Sequence, residues 1–303
     1  MFRRFLVPLD GSLLAESVLP ASAALAKIFD ATVLLLHVLE KSTPRRIHGQ
    51  RHLAGAQEAQ GYLESIAGRL AGSEVAVEVH VHTEASQDAA AGIALHEQEF
   101  AFDMVIMSVH GRGRAARLLA EGVAQNVLAA GSKPVLLLHA EDRRAAERFP
   151  CRSVLIPVDP AGEHRQSFQT ALGFARDLGA PVHIVLVVPT LSTLPPKESA
   201  SGRLMPGTAD ALLDISAVQA RSLLAEYQAR ARSSGLEAST EVLRGHPART
   251  IVRSAQLLHS DLVILGTHGK SGMKAFWEGS VAHGIYSRSL LPLLLIPESR
   301  PPD

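Results

Sequence analysis

The chain has 303 residues, a length that predicts two domains at about 150 residues each. Lysine plus arginine number 30 and aspartate plus glutamate 30, so the formal charge is zero. That balance excludes a nucleic-acid binder working by bulk electrostatics, and it excludes a long charged tail. One cysteine, Cys151, excludes an internal disulfide and any multi-cysteine zinc or iron–sulfur cage, and fits a reducing compartment.

No stretch approaches the ~18 consecutive apolar residues of a membrane span. Met1-Phe2-Arg3-Arg4 runs directly into an apolar strand, without the long apolar region and small-residue cleavage site of an export signal. The expectation is a mature cytoplasmic protein with neither a membrane nor a nucleic-acid partner.

In chain order, the first strand signal is Phe5-Leu6-Val7-Pro8-Leu9-Asp10, and it recurs as Val154-Leu155-Ile156-Pro157-Val158-Asp159. The run from Asp103 to Gly111 recurs from Asp261 to Gly269, and Pro134-Val135-Leu136-Leu137-Leu138 recurs as Pro292-Leu293-Leu294-Leu295-Ile296. The offset is 159 − 10 = 149 at the first strand and 268 − 110 = 158 at the His-Gly pair. The additional residues of the second copy fall in the Ser/Pro/Gly-rich stretch Thr190 to Thr208, which reads as loop. A repeat this long means two tandem domains, 1–145 and 150–303, joined in the charged stretch Ala140 to Pro150.

In the second copy, Ser153 to Val158 reads as a strand. Gln166 to Leu178 reads as a helix with Phe168, Leu172, Ala175 and Leu178 on one face and Gly179 as its stop. Val182 to Val188 is a strand. Asp210 to Ser233 is a long helix with Leu213, Val218, Leu223, Leu224 and Tyr227 on its apolar side. Strands at Ser239 to Leu243, Leu262 to Leu265 and Leu293 to Ile296 alternate with helices at Ala248 to His259 and Val281 to Arg288. Strands that are apolar throughout imply a parallel sheet covered on both faces. The predicted fold class is α/β, with one five-stranded, doubly wound parallel sheet per copy. Such sheets take ligands beyond the carboxyl ends of their strands, where the strand order switches.

The second copy carries a glycine constellation at such a strand end. Leu265 is followed by Gly266-Thr267-His268-Gly269, nine residues from Lys270 to Glu278, and then Gly279-Ser280-Val281. The glycines allow a sharp turn and close approach of backbone amides to a ligand. Ser280 caps the next helix, whose free N–H groups and dipole favour an anion, commonly a phosphate. On pattern alone the rival is a glycine-rich loop with ordinary turns.

The spacing Gly-x-x-Gly, nine residues, Gly-Ser resembles the ATP-binding motif of universal stress proteins. The resemblance covers nearly the whole chain as a tandem two-domain member, including the Pro157-Val158-Asp159 strand end and Gly245-His246-Pro247. It implies a Rossmann-like sheet and ATP as the ligand, with or without Mg2+. It further implies that Asp159 lies at the adenine or ribose, Val187 beside adenine and Gly245 in the nucleoside pocket, with Pro157 and Leu265 also among the nucleotide-binding residues. Gly266, Gly269, Gly279, Ser280 and Val281 would hold ribose and phosphates through backbone groups.

The first copy departs from this pattern. Ser108 stands for Gly266, Gln87-Asp88-Ala89 for Gly-His-Pro, and Glu121-Gly122 for Gly279-Ser280 in a gapless register. A carboxylate about 4 Å from a phosphate repels it by roughly 1–4 kcal/mol. The expectation is therefore a degenerate first copy and nucleotide bound mainly by the second.

Other signals are weaker. Gly269-Lys270-Ser271 lacks the upstream glycine of a P-loop, since position 264 is Ile264. Among 14 histidines, His80 and His82 share a strand face and His48 and His52 are four apart, but neither pair has an obvious carboxylate or cysteine to complete a metal site. Both pairs read as exposed surface histidines, with no metal expected. His110 and His268 read as structural residues of the strand-end turn, and Cys151 as a buried inert thiol. No nucleophile elbow appears, so no catalytic residue is expected.

The function these features imply is ATP-dependent stress response or regulation, with occupancy ordering Lys270 to Glu278. The rivals are a slow ATP hydrolase or adenylyl-transfer enzyme and a nucleotide-free interaction module. The apolar last strands, Val135 to Leu138 and Leu293 to Ile296, need covering. The resemblance implies pairing through them, as an intrachain pseudo-dimer and in a further homodimer.

Overall fold

Both copies of the repeat fold as alternating strands and helices. The computed structural model describes residues 2–40, 46–47, 50–51, 53, 55–72, 74–86, 89–109, 123–140, 149, 151–159, 165–188, 190, 193, 206–267 and 281–298. Among these, 2–149 and 290–298 form one unit and 151–267 with 281–289 form a second.

The first copy runs β1 (Arg4–Pro8), α1 (Leu13–Glu16), α2 (Leu19–Phe29), β2 (Thr32–Glu40), a short antiparallel pair β3 (Arg46–Ile47) and β4 (Gln50–Arg51), then α3 (Ala56–Ala71), β5 (Val77–Ser86), α4 (Ala89–Glu99), β6 (Met104–Val109), α5 (Val123–Ala130) and β7 (Val135–His139). The second runs β8 (Val154–Val158), α6 (Arg165–Asp177), β9 (Val182–Val188), α7 (Pro206–Ser233), β10 (Ala238–Arg244), α8 (Pro247–Leu257), β11 (Leu262–Thr267), α9 (Val281–Tyr286) and β12 (Leu293–Pro297).

In the first unit the order β5-β2-β1-β6-β7 is parallel throughout, and β12 adds antiparallel to β7, with Leu294 opposite Leu136. The outer edge of β7, buried along its whole length, is thereby covered. In the second unit the order is β10-β9-β8-β11, again parallel. The inner strands are buried on both faces, as Phe5, Leu6 and Val7 of β1 illustrate, because helices cover both sides of a parallel sheet. Edge strand β10 instead alternates, with Ala238 buried and Glu241 and Arg244 exposed. Among the described residues, no helix is long and apolar enough to cross a membrane.

The repeat extends to side-chain hydrogen bonds. The Asp103 carboxylate accepts the backbone N–H groups of Arg3 at 2.6 Å and Arg4 at 3.0 Å, and Asp261 accepts that of Arg152 at 2.7 Å. Each aspartate immediately precedes the motif strand of its copy and holds the entry to that copy's first strand. Gly179, at φ +67°, ends α6 in the left-handed region.

Two expectations change. α7 begins at Pro206, inside the stretch read as loop, since proline needs no N–H donor in a first helical turn. Val218, placed on the apolar side of that helix, is 61% exposed, whereas Leu224 and Tyr227 are buried and Tyr227 meets Phe168 edge-on at 4.5 Å. Leu213 lies where side chains are outside the described set.

Candidate functional site

The strand order of the second unit reverses at β8. The chain steps from β8 to β9 and β10 on one side and returns to β11 on the other. A crevice beyond the carboxyl ends of β8 and β11 is the expected ligand position in such a sheet. Parallel register brings the sequence-selected residues to that end. Pro157 pairs with Val185 and Val158 with Leu186, while Val187 pairs with Leu243 in β10. Asp159 follows β8 and is exposed, Val187 is buried near the end of β9, and Gly245 follows β10. Leu265 is buried and Gly266 half-buried at the end of β11.

Gly245 takes φ +139°, and its N–H donates to the Val188 carbonyl at 3.0 Å. A Cβ at this position would lie 2.7 Å from Thr250 Oγ1, so glycine is needed both for the turn and for the close approach of α8. His246 and Pro247 then open α8. Gly284 of α9 packs so closely on Ala248, in the first turn of α8, that a Cβ there would meet the alanine Cβ at 2.4 Å. That contact carries Val281, the first residue of α9, toward the same end of the sheet. Gly269, Gly279 and Ser280 lie outside the described residues, as do Lys270, Phe276, Trp277 and both motif histidines, His110 and His268.

Thr267, passed over as a spacer within Gly-x-x-Gly, is fully buried, and its hydroxyl has no hydrogen-bond partner among the described residues. A buried hydroxyl without a partner is costly, and a ligand polar group is one way to satisfy it. The sequence signal was a polar residue ending an otherwise apolar strand.

The matching end of the first unit is arranged differently. Asp10, which stands for Asp159, accepts the Ser12 N–H at 2.8 Å, and Ser12 in turn caps α1 by accepting from Ala15 at 3.1 Å. Gly11, at φ +88°, lies under the buried Leu53, whose Cγ would be 2.9 Å from a Cβ at Gly11. The buried His37 bridges the Leu9 carbonyl at 2.7 Å and the Leu53 carbonyl at 3.1 Å. Leu186 stands at the corresponding place in the second unit. Val38, the counterpart of Val187, is packed under Gly92 of α4, where a Cβ would meet Val38 Cγ1 at 2.7 Å. The first unit thus fills the approach to its own β1 with Leu53, and Ser108 replaces the strand-end glycine.

The histidines need one correction. His82 is 6% exposed, so it is not a surface residue, and His80 is only half-exposed. A third, His96 of α4, is 4% exposed and packs on both. Desolvation, and next the facing His96, hold His80 below the ordinary imidazole range. His48 and His52 lie outside the described residues.

Residues 1–139 and 150–297 each match the universal stress protein family. The chain is 25% identical over 145 residues to a universal stress protein of Methanocaldococcus jannaschii, covering 48% of this chain and 81% of that protein. It is 24% identical over 312 aligned positions to one of Mycolicibacterium smegmatis, covering 96% of each. Among solved structures it is similar to a universal stress protein from Archaeoglobus fulgidus, with a TM-score of 0.67 and 16% identity over 97% of this chain and 96% of that one. The duplicated strand motifs, the parallel order of both units and these matches agree: the chain belongs to the universal stress protein family, with one family domain in each copy of its repeat.

Proposed function

We propose that this protein binds an adenine nucleotide, ATP, at the carboxyl end of the second unit's sheet, and that occupancy serves stress response or regulation. The observation that carries this reading is the end of β11. Gly266 there offers bare backbone beside the switch point, and Thr267 brings a buried hydroxyl that lacks a partner among the described residues. The Gly269 and Gly279-Ser280 spacing supplies the amides and helix start that suit phosphates. Asp159 is the one carboxylate among the proposed contacts, so Mg2+ would arrive with the triphosphate rather than occupy a protein-built site. The filled approach to β1 supports leaving the first unit out of nucleotide binding. The proposed phosphate contacts are mainly backbone groups, which take up no proton from an attacking water, so turnover of ATP is at most weak.

The test is calorimetry of ATP binding to the full chain, with mass spectrometry of any ligand released on denaturation. One nucleotide per chain is expected. Gly279→Glu, which copies the first unit's residue, should weaken binding at least about tenfold through charge repulsion. Two nucleotides per chain, or an unchanged affinity in that variant, would overturn the reading.

A further inference from the structure

We infer that the first unit carries a three-histidine site for a divalent transition-metal ion of the zinc class, formed by His80 and His82 of β5 and His96 of α4. One ligand nitrogen from each residue lies within 4.8 Å of the others. The inference is independent of the nucleotide proposal, which concerns the other unit.

The backbone brings these residues together. His80 and His82 are two apart on a strand, so both point to one face, and their partners in β2 are Leu36 and Val38. α4 crosses that face and inserts His96. The His96 ring lies 4.9 Å from that of His80 and 4.7 Å from that of His82, nearly perpendicular to each. Phe100 closes one side of the cluster, 4.6 Å from His80 and 4.9 Å from His96.

The hydrogen bonds orient a ligand. Glu99 accepts the Nδ1–H of His96 at 2.6 Å. A carboxylate accepts only, so this bond places the proton on Nδ1 and leaves the lone pair on Nε2. Carboxylates hold metal-bound histidines in the same way, fixing the tautomer and raising the basicity of the ligating nitrogen. His96 Nε2 accepts the Nδ1–H of His82 at 2.8 Å, so an ion bound between these two nitrogens displaces that proton to solvent and takes its place. Two nitrogens on a four-coordinate zinc stand about 3.3 Å apart, from a Zn–N length of about 2.0–2.1 Å. Binding therefore needs the His82–His96 pair to part by about half an ångström and His80 to swing inward. His80 is half-exposed and Glu99 largely exposed, which leaves a path for the ion to enter.

The fold itself does not ask for these histidines. In the second unit, Glu241 and Leu243 stand opposite Val185 and Val187 at the strand positions of His80 and His82, and Ser254 stands for His96. The repeat thus keeps the strand and the helix while only the first copy places three imidazoles between them. Imidazole sets without a thiolate suit zinc, nickel and copper. Three protein ligands leave one position for water, and the ion would tie α4 to the edge strand β5.

The experiment uses the full chain, stripped with chelator and dialysed against zinc chloride. One zinc per chain by elemental mass spectrometry is expected. Cobalt(II) in place of zinc should give the visible absorption of nitrogen-ligated cobalt, which reads the site without any substitution. His80→Asn, at the half-exposed ligand, should weaken zinc binding tenfold or more in calorimetry. Glu99→Gln, which spares every ligand, should weaken it roughly 10–100-fold. Both variants should keep the parent far-ultraviolet circular dichroism. A chain that retains no zinc and gives no cobalt spectrum would overturn the site, as would zinc held equally well by both variants, which would place the metal elsewhere on the chain.

Discussion

At the residue scale, environment decides what a side chain does. Cys151 precedes β8 with its thiol half-buried, and burial first, then the Asp261 carboxylate, push that thiol up to about 12. Raising the folded-state value penalises the thiolate. The contribution to stability is fully present below the ordinary thiol range and is lost as pH rises through the folded value. Two outcomes follow: at pH 8 a thiol reagent should label the folded chain more slowly than the urea-unfolded chain, and urea midpoints should fall as pH climbs from the ordinary thiol range toward 12. Labelling equally fast in both states would count against this environment. The sequence predicts a buried inert thiol; Cys151 is half-buried, and the labelling comparison tests its inertness. Thr267 and His96 were not singled out at the sequence level, because what distinguishes each is its neighbours. A hydroxyl becomes informative only when burial removes its water, and His96 only when the fold sets it against a strand from which a bulge and a helix start separate it.

At the element scale, α8 and α9 give the sharpest test. Glycine inside a helix is normally worse than alanine by about 1 kcal/mol, so Gly284→Ala would gain stability on propensity alone. Here a Cβ would lie 2.4 Å from that of Ala248, and overpacking of this kind costs about 1–3 kcal/mol. Gly284→Ala should therefore lower the urea midpoint and, by displacing the start of α9, weaken nucleotide binding. An unchanged midpoint would mean that the two helices part freely. The long helix α7 offers the contrast. Val218 was assigned to its apolar side from spacing, yet it is exposed, and Val218→Lys should change stability by no more than about 0.5 kcal/mol in the same melt. Helical spacing identifies an apolar stripe, but a 28-residue helix can extend beyond the sheet that would cover it.

At the scale of the whole molecule, the two proposals assign different ligands to the two units of one duplicated fold. ATP should slow hydrogen exchange in α9 and at the carboxyl end of β11 while leaving α4 and β5 unchanged, and zinc should do the reverse. Protection of both regions by either ligand would contradict that division. The repeat, the alternation of strands and helices and the parallel sheets were legible because each is written in local periodicity: buried parallel strands must be apolar on both faces, and helices must present one stripe. The strand-end aspartates and glycines were legible for a similar reason, since tight turns restrict which residue can follow a strand. Leu53 over Gly11, His37 between two carbonyls and His96 against His82 belong to the tertiary structure alone. An apolar run such as Leu293 to Ile296 states that it must be buried, but hydrophobic attraction has no direction. The resemblance names Val135 to Leu138 as its partner, and only the folded chain, through hydrogen bonds that do have direction, sets the antiparallel register with Leu294 opposite Leu136.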